Sequence, residues 1–492
     1  MSSAVTSNVS FVACHGGPAD HFASFVLGLP TDSYTTQVHA TGPALKKFTD
    51  RGVASVKPFS LDALSSDQED EVAIKIAKAC AKSAVVFTDV GHLFAEKVEL
   101  AFTLYAPKVR RIAYYDNPEK YVPGGYSEVA SKVMSHAEKV AFSNAKLARE
   151  PIFSAPGVEV DLPMSRRIGI GYYPVAQAEA LFARRVSEHA TCRAELFAKH
   201  SIRDQGQKVL VYFGGNNEEY FSKAFPAFVD FLTHAKEKSD LSNYVIVLQQ
   251  HPGAKEKNID GLKLAAWIKD HGASAKSPKI IVSDFSSDTA QIVADGALYY
   301  QTSMGPQFAI AGIPTVQVAH ETYEDILVRN NLCSKVTSGD ELIAAIAQLP
   351  NFSTVAPVKG PLFDALGIRQ DWLAVLKKTI FDMEASTALD ALKNNLDRSK
   401  FTRQVSQIMQ KGGSVGMVST LKQAYDSKDE LLRLACASIA HSILKRSDEC
   451  IASFRAQISQ DLQVPNLSMF RVACETLADG VEKNTTYPSP FF

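Results

Sequence analysis

The sequence predicts two α/β domains, each built on a parallel sheet, followed by a helical extension at the C-terminus. Three observations support this fold class. The chain has 492 residues, which is too long for one hydrophobic core. Two successive series of short apolar strands alternate with helical stretches, as the crossover connections of parallel sheets require. From about residue 370 onward the strand signals disappear and helical periodicity continues.

The domain boundaries are predicted from composition. Residues 154–163 combine glycine, proline and polar residues in a stretch suited to a linker. We therefore predict an N-terminal α/β domain over residues 1–165 and a second α/β domain over residues 166–375. The helical extension is predicted over residues 376–492.

The predicted strands are short runs rich in β-branched and aromatic residues. In the first domain they span residues 9–14, 35–41, 83–89, 110–116 and 138–144. In the second domain they span residues 208–215, 243–252, 279–284, 297–303 and 314–319. Helical spacing is found over residues 21–29, 93–104, 218–238 and 307–311.

Composition and charge exclude several classes of protein. The apolar share of 46% and the charged share of 21% are typical of a globular chain. A formal net charge of -1 means that the chain has no excess of positive charge with which to bind a nucleic-acid backbone. The seven cysteines are scattered without a C-x-x-C pair, as in reduced cytoplasmic proteins. With no signal peptide and no stretch long enough to span a membrane, we expect a soluble cytoplasmic protein.

In open parallel sheets, ligands bind beyond the carboxyl ends of the strands, so strand-end residues are the candidates for chemistry. After the first strand, Gly16 and Gly17 allow backbone to approach a ligand closely. His21 is expected near the following helix N-terminus, with a pKa suited to proton transfer. A plain turn with Asp20 as helix cap and a surface histidine explains the pattern equally well.

The first domain offers other bases at its strand ends. Asp89, His92 and Asp116 follow two predicted strands, and each is an alternative to His21. We take His21, Asp20 and Asp89 as the catalytic candidates, with His21 first.

The second domain carries further candidate ligand-binding residues. Gly214, Gly215 and Asn216 follow its first strand, although a helix-capping turn accounts for them almost as well. In His251-Pro252, the proline favours an extended histidine at the strand end, whereas a histidine capping a loop is the alternative.

Hydroxyl and acidic residues follow the later strands of this domain. Thr302, Ser303, Gly305 and Gln307 precede or open a short helix, where free backbone N–H groups favour an anion. Glu324 lies past the final predicted strand. A carboxylate there can accept hydrogen bonds from both ribose hydroxyls, or it is simply stabilised by the dipole at the start of a helix.

Several catalytic motifs are missing from the sequence. It lacks a phosphate-loop motif, the dinucleotide-binding G-x-G-x-x-G and H-E-x-x-H. A D-x-D diphosphate–metal site after a strand is also missing. We therefore expect chemistry that needs neither a metal nor a cofactor.

The order of these motifs resembles that of GT-B-type glycosyltransferases, in which two Rossmann-like domains face each other across a nucleotide-sugar cleft. Residues 294–318, ending in Gly-Ile-Pro-Thr-Val-Gln-Val, carry most of the resemblance. The pairing of His251-Pro252 with Thr302-Ser303 is similar to that in bacterial sialyltransferases and CDP-glycerol polymerases. In those families the histidine and hydroxyls hold the nucleotide phosphate.

The resemblance implies a glycosyltransferase that moves a sugar from a nucleotide-sugar donor to an unknown hydroxyl acceptor. The expected donor is a UDP-sugar. Backbone donors and a helix dipole would stabilise the leaving diphosphate in place of a metal. His21 would deprotonate the acceptor. The donor-binding residues are then Gly16, Gly17, Gly214, Gly215, Asn216, His251, Pro252, Thr302, Ser303, Gly305, Gln307 and Glu324.

Two other functions stay open. Non-hydrolysing sugar-nucleotide 2-epimerases share the architecture, and residues 321–324 loosely resemble their acidic turn. The chain is alternatively a non-catalytic protein with a degenerate cleft. In either case the helical extension is a candidate surface for self-association or for a protein partner.

Overall fold

The computed structural model describes residues 6–120, 125–150, 162–255, 257–300, 302, 304–318, 324–393 and 405. Within this part the chain forms two compact units. The first comprises the chain up to Tyr114, His136–Val140 and the chain from Gln370 onward. The second comprises Tyr115–Ser135 and Ala141–Arg369. The predicted boundaries at residues 165 and 375 stay predictions.

The first sheet has seven strands in the order β3-β2-β1-β4-β5-β6-β7. Its strands are β1 Ser7–Ala13, β2 Tyr34–Ala40, β3 Val56–Pro58, β4 Val85–Asp89, β5 Arg110–Tyr115, β6 Lys139–Phe142 and β7 Arg167–Gly169. The four pairs from β3 to β5 are parallel, with β1 at their centre.

The second sheet has six strands in the order β10-β9-β8-β11-β12-β13, and all five pairs are parallel. Its strands are β8 Lys208–Phe213, β9 Tyr244–Gln249, β10 Lys279–Val282, β11 Gly296–Tyr299, β12 Thr315–Val318 and β13 Ser334–Val336. Two parallel sheets, each interleaved with helices, confirm the predicted α/β fold class.

The helices connect these strands. Those up to the start of β8 are α1 Gly16–Gly28, α2 Gly42–Asp50, α3 Ser66–Ala79, α4 Leu93–Tyr105, α5 Tyr126–His136 and α6 Val175–Lys199. Those that follow are α7 Phe225–Lys238, α8 Ile259–His271, α9 Ser287–Val293, α10 Gly305–Ile310, α11 Ile326–Arg329, α12 Gly339–Gln348, α13 Gly360–Ala365 and α14 Trp372–Lys393.

Helices cover both faces of the second sheet because its strands are apolar on both sides. Leu210 and Tyr212 of β8 pack against residues of α7, α8 and α12. Val209, Val211 and Phe213, which alternate with them, pack against α6, α9 and α10. Fully buried strands of this kind are typical of parallel sheets.

An aromatic cluster fills one face of the first sheet. Phe11 of β1 lies 5.2 Å from Phe22 of α1 and 5.3 Å from Phe87 of β4, between ring centroids. Phe25 of α1 in turn stacks on Trp372 of α14 at 5.6 Å. Ser7 donates to Glu384 of α14 at 2.6 Å, so this helix packs against the first unit.

The predicted helical extension begins as α14, and the rest of it, apart from Val405, lies outside the described residues. No helix in the described ranges is long and apolar enough to cross a membrane.

Candidate functional site

The carboxyl ends of the second sheet gather most of the predicted donor-binding residues. Because the strands are parallel, the segments after β8, β9 and β11 lie at one edge. The backbone joins the first two of these ends, since Gly214 N–H donates to the carbonyl of Gln249 at 3.0 Å.

The two glycines after β8 make room for a tyrosine. A Cβ on Gly214 would lie 2.8 Å from Tyr220 Oη, and one on Gly215 would lie 2.9 Å from Tyr220 Cγ. Both distances are shorter than real Cβ contacts. Tyr220 begins a π-helical turn, Tyr220–Ala224, which precedes α7. Asn217 caps this segment by accepting from Tyr220 N–H at 2.8 Å.

A buried carboxylate lies beneath the loop that contains these glycines. Asp260, at the start of α8, has no exposed surface. Its Oδ2 accepts from Tyr220 Oη at 3.0 Å, and its Oδ1 accepts from Gln250 Nε2 at 2.6 Å and from Gly261 N–H at 3.0 Å. Burial, together with the nearby Tyr212 and Asp260, raises the pKa of Tyr220 well above its ordinary value, so this hydroxyl is a neutral donor.

Asn216 and His251 converge on a third glycine. Measured from the position that a Cβ would take on Gly253, Asn216 Nδ2 lies at 3.3 Å and His251 Nδ1 at 3.4 Å. His251 Nδ1 accepts from Gly253 N–H at 3.1 Å. This hydrogen bond places the proton of a neutral His251 ring on Nε2. The histidine is exposed, and partial desolvation of its ring lowers its pKa. Pro252 begins the short 3₁₀ helix Pro252–Ala254.

The segment after β11 supplies a hydroxyl. Thr302 Oγ1 accepts from Met304 N–H at 3.1 Å, and the Thr302 carbonyl accepts from Gly305 N–H at 3.3 Å. Gly305 opens α10 and is buried, and Gln307 in the same helix is half-buried. Ser303, a predicted phosphate ligand, lies outside the described residues.

The acidic pair after β12 divides into an exposed and a buried carboxylate. Glu324 is exposed and forms an ion pair with Lys335 at 3.7 Å. Asp325 is buried, accepts from Tyr299 Oη at 2.5 Å and caps α11 through Leu327 and Val328 N–H, both at 3.0 Å. Of the two, only Glu324 has a carboxylate exposed to solvent.

A second group of polar residues lies at the carboxyl ends of β1 and β4 in the first unit. The Asp89 side chain is only 1% exposed, and its Oδ2 accepts from Cys14 N–H at 2.7 Å and His15 N–H at 3.1 Å. Burial raises the pKa of Asp89 to about 6, despite these hydrogen bonds. His15 Nδ1 lies 3.9 Å from Asp89 Oδ2, and the His15 and His92 rings are 5.6 Å apart.

His21 lies elsewhere than predicted. It was expected near a helix N-terminus and open to a ligand, but α1 begins at Gly16, five residues earlier than predicted. This extra turn places His21 among the buried residues, where its Nδ1 is 2.8 Å from Tyr114 Oη. Burial lowers the pKa of His21 to about 4. Its assignment as the base stays a prediction.

The other first-unit candidates surround the start of α1. Gly16 is half-buried and Gly17 is exposed in its first turn, with His15 as the preceding residue. Asp20 is not the cap of this helix, since it forms an ion pair and a hydrogen bond with Arg51 instead. Within the described residues, no group of three or more His, Cys, Asp or Glu side chains has the geometry to hold a metal ion.

The structure adds residues that the sequence did not single out. Tyr220, Asp260 and Gln250 form the buried network at the second edge, and His15 joins Asp89 at the first. The sequence signal for His15 was present, because it directly follows a predicted strand. Tyr220 and Asp260 are 40 residues apart and neither follows a strand, so no local pattern joins them.

Comparison with known proteins identifies the fold. UDP-GlcNAc 2-epimerase from Neisseria meningitidis, bound to UDP-GlcNAc, superposes with a TM-score of 0.53, at 12% identity, over 76% of this chain and 99% of that one. The chain has the GT-B fold. UDP-GlcNAc 2-epimerase from Methanocaldococcus jannaschii gives a TM-score of 0.52, again at 12% identity and with the same coverage of 76% and 99%.

A glycosyltransferase from Rickettsia africae gives a TM-score of 0.48 at 10% identity, over 80% of this chain and 99% of that one. No family model and no curated protein matches the sequence. At these identities the GT-B likeness describes the fold of the chain.

Proposed function

We propose that this chain is an enzyme that binds a nucleotide sugar at the carboxyl edge of its second sheet and transfers the sugar to a hydroxyl acceptor. The observation that carries the proposal is the convergence of Asn216 and His251 at that edge of a GT-B fold. The carboxyl edge is where open α/β sheets bind their ligands.

The three polar residues at this edge are suited to a diphosphate. His251 presents a protonated Nε2, because its Nδ1 is an acceptor, and its lowered pKa keeps the ring neutral at pH 7. Asn216 contributes an amide N–H₂ beside it, and Thr302 has a hydroxyl proton left to donate. Such donors stabilise charge that develops on the leaving nucleoside diphosphate.

For the chemical step, we propose Asp89 as the general base. Its pKa of about 6 leaves it ionised at pH 7 yet basic enough to accept a proton. Asp89 takes the proton of the acceptor hydroxyl, whose oxygen bonds to the anomeric carbon as the bond to the diphosphate breaks. The His15 ring lies 3.9 Å from the carboxylate. When this ring is protonated, its positive charge stabilises the negative charge of Asp89.

Epimerisation at C2 of the sugar is a second candidate. The two solved structures with a TM-score above 0.5 reported above are both UDP-GlcNAc 2-epimerases, and one holds UDP-GlcNAc. An epimerase on this chain would use the same nucleotide-binding edge and would need no acceptor.

The binding experiment is a thermal-shift panel of UDP, GDP, CMP and dTDP with wild type, His251→Ala and His234→Ala. His234 is a half-buried histidine of α7 that forms a hydrogen bond with Asp340, so it controls for the loss of an imidazole. We expect one nucleotide to raise the melting temperature of wild type and of His234→Ala. At 100 times its Kd, the nucleotide should add about 2.7 kcal/mol to the free energy of unfolding. His251→Ala should lose this shift. Folded wild type that responds to no nucleotide refutes the proposal.

The reaction itself is tested by proton NMR on UDP-GlcNAc. Release of UDP that depends on an added hydroxyl acceptor supports transfer. Appearance of the C2 epimer without an acceptor supports epimerisation and refutes transfer as the main activity.

A further inference from the structure

The buried contacts beneath Gly214 and Gly215 determine where the donor-binding side chains lie. Each glycine faces Tyr220 at a distance that leaves no space for a Cβ. These glycines are therefore explained by close packing against an aromatic ring, and Tyr220 in turn holds the backbone that leads into Asn216.

Asp260 joins this packing to the neighbouring strand. One carboxylate oxygen accepts from Tyr220 at 3.0 Å and the other accepts from Gln250 at 2.6 Å. Gln250 directly precedes His251, just as Gly215 directly precedes Asn216. The carboxylate thus connects the residues adjacent to both donor-binding side chains.

The network is buried and its geometry is specified by polar contacts. The exposed fraction is 1% for Tyr220, 0% for Asp260 and 6% for Gln250. Hydrogen bonds to a charged acceptor inside a protein are stronger than those at its surface. The π-helical turn at Tyr220–Ala224 is a rare form of helix that is frequent at functional sites.

We infer that Tyr220 and Asp260 are positioning residues, which fix the separation of Asn216 and His251 and thereby the affinity of this edge for a nucleoside diphosphate. This inference rests on the proposed function, because it assigns a purpose to the same site. Both residues are buried, so they act through the loop that they hold in place.

The test is Tyr220→Phe, which removes Oη and keeps the ring against the glycines. Tyr212→Phe is the matched control. Tyr212 is equally buried in β8, and among the described residues its hydroxyl has no hydrogen-bond partner. Loss of the Tyr212 hydroxyl should therefore leave the loop unchanged.

Hydrogen exchange followed by mass spectrometry gives the first readout. We expect residues 214–217 and 250–253 to exchange about tenfold faster in Tyr220→Phe, while β10 exchanges as in wild type. Tyr212→Phe should match wild type in all three segments. Equal exchange of residues 214–217 and 250–253 in the two variants overturns the inference, whether or not any nucleotide binds.

Nucleotide affinity gives the second readout. Tyr220→Phe should raise the Kd of the nucleotide, and the KM of the donor, about tenfold with kcat at saturating donor nearly unchanged. A Kd equal to that of Tyr212→Phe overturns the inference. If wild type binds no nucleotide while the exchange difference persists, the proposed function fails and the network stands as a device that orders the loop.

Discussion

Replacing Asp89 with asparagine should make the protein more stable at neutral pH while abolishing its activity. Asp89 is buried, and its pKa rises from an ordinary 3.8 to about 6 in the folded state. The folded chain therefore holds the Asp89 proton more tightly than the unfolded chain does. The resulting stability is fully present below pH 4 and is lost as pH rises through 6.

The magnitude follows from the two pKa values. A difference of about two corresponds to about 3 kcal/mol between pH 4 and pH 7.5. Asparagine does not titrate, and its side-chain oxygen still accepts from the N–H groups of Cys14 and His15. The stability of Asp89→Asn relative to wild type should thus increase by about 3 kcal/mol over that pH range.

Urea unfolding at pH 4, 5, 6, 7 and 7.5, with wild type and Asp32→Asn as references, measures this difference. Asp32 is exposed, so its variant should follow the wild-type pH dependence. A stability difference between Asp89→Asn and wild type that stays constant with pH refutes the reasoning. So does an Asp89→Asn protein that keeps full activity, because the proposed base would then be another group.

Two further substitutions test the packing of the second unit. Gly215→Ala should lower the free energy of unfolding by about 1–3 kcal/mol, measured by calorimetry, because its Cβ meets Tyr220. A Cβ on Gly360 meets nothing within 4 Å, so Gly360→Ala should leave the stability unchanged. Arg185→Met should lower the free energy of unfolding in urea by about 3 kcal/mol. The buried guanidinium donates to the carbonyls of Ile292 at 3.3 Å and Ala294 at 3.0 Å, and methionine cannot replace these hydrogen bonds. The exposed Arg184→Met is its control, and equal losses in the two contradict this account.

Sequence periodicity predicted the strands wherever an apolar run was long enough to carry a signal. All ten predicted strands overlap observed ones, from β1 to β12. The three that were missed, β3, β7 and β13, have three residues each. Three residues are too few for an alternating pattern, and such strands form because a neighbour already offers hydrogen-bonding groups.

The site was predictable only where topology decides position. The rule that strand ends gather at one edge predicted where Asn216, His251 and Thr302 lie, and their role in binding stays a prediction. The burial of His21 was not predicted, because it depends on where α1 starts. The helix extends back to Gly16 through a glycine pair that suggested a turn. Asp260 was missed since its partners come from two other segments.

The return of α14 to the first unit has a consequence for synthesis. Trp372 stacks on Phe25, and Glu384 accepts a hydrogen bond from Ser7, 377 positions earlier in the chain. A ribosome moving from the N-terminus releases all of Ala141–Arg369, which belongs to the second unit, before it translates α14. Most of the first sheet is therefore synthesised long before the helix that packs against it. Until α14 is translated, the surface around Phe25 lacks the contact with Trp372.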